Sequence, residues 1–141
     1  MKITGLLLLL LLGLSGCFSA NSAITDQSAD LRAFRHIYVQ SSQNDSNHLD
    51  QLLANELVRL GYDASAGVRT MMPDNAQLYI TFESQWAWDF HTYLIQLDIT
   101  VRDVRTDKHL GNGRAFHSGV TTTAPEKFVA EVLKPIFGAK K

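Results

Sequence analysis

The apolar positions fall into segments with different periods. Phe34 to Val39 (FRHIYV) is β-branched and aromatic, which predicts a strand. Asn44-Asp45-Ser46 then offers capping oxygens. Leu49, Leu52, Leu53, Leu57 and Leu60 follow at helical spacing, and Gly61 is placed to end the helix in a left-handed conformation. Tyr62 to Ala66 reads as a short edge strand, and Val68 to Ala76, with Pro73-Asp74-Asn75, as a loop. Leu78, Ile80 and Phe82 alternate with Tyr79, Thr81 and Glu83 in a run that reaches Trp86 and Trp88. A second run sets Tyr93, Ile95, Leu97, Ile99 and Val101 on one face. Such alternation marks half-solvated antiparallel strands, here a long hairpin turning near Asp89-Phe90.

Arg105-Thr106-Asp107-Lys108 makes the next turn, and His109 to His117 returns as a strand with Gly113 a candidate bulge. A competing register turns at Asn112-Gly113, a favoured hairpin dipeptide. Thr123-Ala124-Pro125-Glu126 has the form of a capping box. Phe128, Val129, Val132, Leu133 and Ile136 then line a second amphipathic helix, which Pro135 and Gly138 should end. The order is strand, helix, a run of strands, helix. It predicts an α+β domain: a two-layer sandwich with an antiparallel sheet of about four to five strands and two helices packed on one face.

The N-terminal segment has no place in that domain. Seven consecutive leucines, Leu6 to Leu12, follow Met1-Lys2. The run is about half the length a bilayer-spanning helix needs. A basic start, a short apolar stretch and small residues before Cys17 form the layout of a secretory signal. Leu14-Ser15-Gly16-Cys17 resembles the bacterial lipobox at all four positions. The resemblance implies cleavage after Gly16, a diacylglyceryl thioether on Cys17 and acylation of the new amino terminus. Cys17 is the only cysteine, so no intrachain disulfide can form. Residue 18 is Phe and not the Asp that tends to retain lipoproteins in the inner membrane, so the resemblance implies the outer membrane. The expected organisation is a removed signal at 1–16, a lipidated Cys17 with a tether to 30, one domain at 31–138 and a basic tail at 139–141. The polar tether would span about 20 Å root-mean-square, and at most about 45 Å.

The formal charge is −1, from 13 basic and 14 acidic residues, and gives no basic surface for nucleic acid. The five histidines show no metal-ligand spacing, and Ser84 and Ser118 lie in no nucleophile motif. Asp98, Asp103 and Asp107 could form a carboxylate cluster, but interleaved Arg102 and Arg105 favour a solvated turn. No catalytic residue, metal or cofactor is expected.

The densest aromatic stretch is Trp86, Trp88, Phe90 and Tyr93. It is either an exposed platform for a partner or, for Trp86 and Trp88, a continuation of the Leu78–Ile80–Phe82 core face, whose parity they share. Parity favours the core. Exposure of either indole beyond about a third of its surface would favour binding.

The strand at Phe34 to Val39, the helix ending Leu60-Gly61-Tyr62, the Leu78–Trp88 strand and the Asp103-Val104-Arg105-Thr106 turn together are similar to a loose group of small Gram-negative lipoproteins. The similarity runs from Leu31 to His117. It implies an α/β-sandwich of the kind also found in lipopolysaccharide-assembly and curli-secretion lipoproteins. The expected function is non-enzymatic: a lipid-anchored protein, facing the periplasm, that binds an envelope protein or peptidoglycan through a sheet edge or the aromatic hairpin. The alternative is a carrier of a lipid or small apolar ligand.

Overall fold

The computed structural model describes residues 30–118 and 123–138. The signal segment, Cys17, nearly all of the tether and the basic tail lie outside the described residues. The elements are β1 (His36–Gln40), α1 (Leu49–Arg59), β2 (Asp63–Gly67), β3 (Leu78–Asp89), β4 (His91–Asp103), β5 (His109–Phe116) and α2 (Pro125–Phe137), with short 3-10 turns at Leu31–Ala33 and Arg69–Met71. The five strands form one sheet in the order β2-β1-β3-β4-β5.

The α+β two-layer architecture is as the sequence predicts, but the sheet is mixed rather than wholly antiparallel. β1 runs parallel to β2 and to β3, while β3–β4 and β4–β5 are antiparallel. The reason is α1. A helix between two strands carries the chain back along the sheet, so β2 enters in the same direction as β1.

Both helices contribute to one apolar layer. Leu49, Leu53 and Leu57 of α1 and Phe128, Val132, Leu133 and Ile136 of α2 are buried with Ile37, Val39, Leu78, Ile80, Leu97, Ile99 and Val101 of the sheet. A smaller cluster, Tyr38, Ala76 and Tyr79, sits on the opposite parity of β1 and β3 with Met72 and Val104 against it. The sheet therefore buries part of its second face as well.

The ends of the helices show how local signals are used. Gly61 takes φ 99°. The Tyr62 N–H donates to Leu57 O at 3.0 Å and the Gly61 N–H to Val58 O at 3.0 Å, a Schellman closure. At the other end of α1 the cap position is His48, in a left-handed conformation with no side-chain cap. Asp45 supplies the oxygen instead, accepting from the Asp50 N–H at 3.1 Å.

In α2 the expected capping box does not form. Ala124 is the cap residue and makes no side-chain bond, and Thr123 Oγ1 lies 3.5 Å from His117 Nδ1. Pro125 at the first turn loses only an N–H that the helix leaves unpaired anyway. Pro135 does not end the helix, which runs to Phe137 and closes at Gly138, φ 58°. Ile136 and Phe137 are fully buried, so the last turn is held by packing despite the N–H that proline lacks.

Gly113 is not a bulge. It pairs with Ile99 inside β5, and the irregularity falls at the start of the strand, between Val101↔Gly111 and Arg102↔His109. Gly113 is where α2 crosses most closely: a Cβ there would lie 2.8 Å from Ile136 Cδ1 and 2.9 Å from Val132 Cγ2. Asn112-Gly113 thus lies in a strand, and the turn is at 104–106.

Candidate functional site

β3 and β4 outrun their neighbours. β1 pairs with β3 only at Ile37↔Leu78, Tyr38↔Tyr79 and Val39↔Ile80. The Ser41 N–H then donates to Gly67 O at 2.8 Å, so the chain leaves β3 and follows β2. On the other side, the β5 ladder reaches Phe116↔Gln96 and closes with the His117 N–H donating to Ile95 O at 2.9 Å. Beyond those points the hairpin is a two-stranded arm.

The register shifts within the arm. Gln85 pairs with Gln96, and the next residue, Trp86, pairs with Leu94, leaving Ile95 as the extra residue of a bulge. Leu94 is buried at 2% exposure, whereas Ile95 and Tyr93 are half-buried. The strict alternation read from the sequence, with Tyr93 and Ile95 on the core face, holds only from Leu97 onward.

The four aromatic candidates therefore separate. Trp86 packs against the edge of the core, and its Nε1–H donates to Ser84 Oγ at 3.1 Å. Trp88 is 74% exposed and Phe90 92% exposed, with ring centroids 6.2 Å apart. Phe90 makes the turn at φ 60°, an uncommon conformation for a bulky side chain. Tyr93 lies opposite Ala87 and stacks on His91, with centroids 5.6 Å apart. Parity assigned both tryptophans to the core. It is right for Trp86. It fails at Trp88 because the arm extends past the apolar layer that covers Trp86, leaving nothing among the described residues to bury the second indole.

The other candidates are drawn apart. Asp98 pairs with Arg114 at 2.5 Å, and the Asp107 carboxylate accepts from the Tyr79 hydroxyl. Asp103 Oδ1 accepts from the N–H groups of Arg105 at 2.8 Å and Thr106 at 2.9 Å. The Thr106 hydrogen bond holds the Asp103 carboxyl below its usual pKa. His36 pairs with Asp63 at 2.8 Å, and His117 with Glu131 at 2.7 Å while its ring rests on Phe128. Among the described residues no three metal-ligating side chains converge.

Two open clefts flank β3. One, of about 330 Å³, lies on the polar sheet face between Thr81, Glu83, Asp98, Thr100, Asn112 and Arg114. The other, of about 380 Å³, separates the Ser42–Asp45 loop from Phe82, Glu83, Ser84 and Trp86 of β3. The sequence carried no signal for the second. It exists because β1 turns away early, which depends on pairing between distant segments.

Fold and surface together define a small two-layer α+β domain with a projecting aromatic hairpin. No protein-family model and no curated protein matches the chain. Among solved structures it is similar to PelC from Paraburkholderia phytofirmans, seen as a dodecamer in two crystal forms. The two match with a TM-score of 0.60 each, at 12% and 10% identity, over 85% of this chain and 96% of theirs. At that identity the likeness is one of fold.

Proposed function

We propose that this chain is a lipid-anchored, non-enzymatic protein of the bacterial envelope, facing the periplasm at the outer membrane. Its domain binds an envelope partner, an assembly component or peptidoglycan, through the tip of the β3–β4 arm. The observation that carries the reading is the pair Trp88 and Phe90, 74% and 92% exposed at the end of an arm that nothing else among the described residues covers. Exposed, adjacent aromatics are costly in water and are the residues most often found at the energetic centre of interfaces.

The position of the arm supports the same reading. Leu31, where the tether enters the domain, packs near Gly111: a Cβ built on Gly111 would lie 3.4 Å from Leu31 Cδ1. Gly111 is level with Val101, and Val101 with Ile80. From Ile80 to Phe90 an extended strand covers about 33 Å. The aromatic tip is thus at the end of the domain remote from Leu31. That a structural neighbour is a dodecamer adds a second copy of this chain to the partners to be tested.

The test is in-cell crosslinking from a photoreactive residue at position 88, with position 93 as a second site. Specific adducts from 88 are expected. An absence of specific adducts at both positions would overturn the reading.

A further inference from the structure

Beyond Ile80, β3 has a strand neighbour on one side only. Between Phe82 and Trp88, alternate backbone N–H and C=O groups face the side that β1 has left, and none of them has a backbone partner there among the described residues. An unpaired strand edge is a template for another extended chain, and proteins usually blunt or cover it. Here it is open to the cleft of about 380 Å³ walled by Ser42, Asn44 and Asp45.

The side chains along the cleft differ by face. Phe82 and Trp86, with Ser84 between them, share the face that carries the core, whereas Glu83 projects to the other. Glu83 stands directly opposite Asp98, whose own charge is met by Arg114 and by an amide hydrogen of Gln96. Glu83 is exposed and forms no ion pair among the described residues; Arg114 lines the same polar face but is paired with Asp98, and Asp45 at the cleft accepts from the Asn47 and Asp50 N–H groups. The open backbone asks for a strand, the two rings for apolar side chains on one face of it, and Glu83 for a cation on the other.

We infer that the free edge of β3 from Phe82 to Trp88 is a strand-addition site for an extended peptide segment with alternating apolar and basic residues. Main-chain pairing supplies the affinity and the alternate side chains the selectivity, as in other β-augmentation sites. The inference rests on the partner-binding reading above and gives that partner a second contact, on the side of the arm rather than at its tip.

The experiment pans a library of random nine-residue peptides against the full chain in detergent and resynthesises the most enriched sequence. Alternating apolar and basic residues are expected. Glu83→Lys should weaken binding roughly tenfold, the effect of turning one attractive charge contact repulsive. Methylating one of the two alternating sets of peptide nitrogens should abolish binding, because only main-chain pairing needs those hydrogens. Phe90→Ala, outside the edge segment and at the tip, should leave the affinity unchanged. An unenriched library, acidic or charge-indifferent peptides, or methylated peptides that all bind normally would overturn the inference. Loss of binding on Phe90→Ala would place the peptides on the aromatic tip, overturning the edge site while leaving the partner reading intact. Edge binding that persists while neither position 88 nor position 93 yields adducts would do the reverse for the tip.

Discussion

Trp86 stands opposite Leu94 across the β3–β4 hairpin, where an unbroken ladder from Gln85↔Gln96 would set it against Ile95. The bulge at Ile95 turns Leu94 into the core and leaves Ile95 half-buried. Leu94→Ala should therefore destabilise the domain by about 2–5 kcal/mol, as for a buried leucine. Ile95→Ala should cost less than about 1.5 kcal/mol. Urea denaturation of the two variants checks this. The reverse order would restore the regular alternation that the sequence suggests and remove the bulge.

Gly113 provides the space in which α2 crosses β5. A methyl group there would meet Ile136, Val132 and, at 3.1 Å, the Val132 carbonyl oxygen. The side chains can shift, but the carbonyl belongs to the helix backbone. Gly113→Ala is expected to destabilise by about 1–3 kcal/mol, outweighing the gain of about 0.5–1 kcal/mol that alanine normally brings to a strand. A denaturation midpoint equal to or above that of the parent protein would show that α2 does not pack this closely.

Asp103 predicts an acid-sensitive turn. Its pKa is lowered, first by the Thr106 backbone N–H and further by that of Arg105, with burial opposing. A carboxyl depressed in the folded state contributes stability that is fully present above its unfolded pKa of about 3.9. The contribution is lost as pH falls through the folded value. The Asp103 carboxyl carbon, followed by NMR, should titrate with a midpoint below about 3.9. A midpoint at or above that value would mean the turn bonds do not persist in solution. Asp103→Asn should make the turn insensitive to pH in this range.

The proposed anchor on Cys17 gives a prediction independent of the domain. Two or more acyl chains on one residue hold a protein stably to a bilayer, whereas one holds it marginally. Cys17→Ser should move the protein from the membrane fraction to the soluble periplasm and abolish incorporation of labelled palmitate. Continued membrane fractionation of the variant would show that something other than Cys17 holds it.

Much of the fold was legible in short windows. The leucines of α1, the Gly61 stop, the turn at Phe90 and the apolar face of α2 all follow from periods and residue types within a few positions of one another. The aromatic candidates were legible as a group, since Trp86, Trp88, Phe90 and Tyr93 lie close together in the chain. Which of them are exposed was not. Trp86 and Trp88 have the same parity and differ only in what lies above them, and that is fixed by where the buried layer stops along β3. The capping box shows the opposite failure. Thr123 and Glu126 have the right spacing, yet Ala124 is the cap.

The sequence by itself determined the local elements, the class of the fold and, by the resemblance at Leu14-Ser15-Gly16-Cys17, the expectation of a lipid anchor. Side-chain periodicity is a property of neighbouring residues, so it needs no knowledge of the rest of the chain. Only the tertiary structure decided that β1 is parallel to both its neighbours, that Ile95 bulges and that Gly113 receives a helix. It also decided that β3 runs on past β1 with an edge unpaired among the described residues and an exposed Trp88. Each of these depends on hydrogen bonds or cover between segments far apart in sequence, and the energies that choose among such pairings are shared over the whole sheet rather than carried by any one stretch of it.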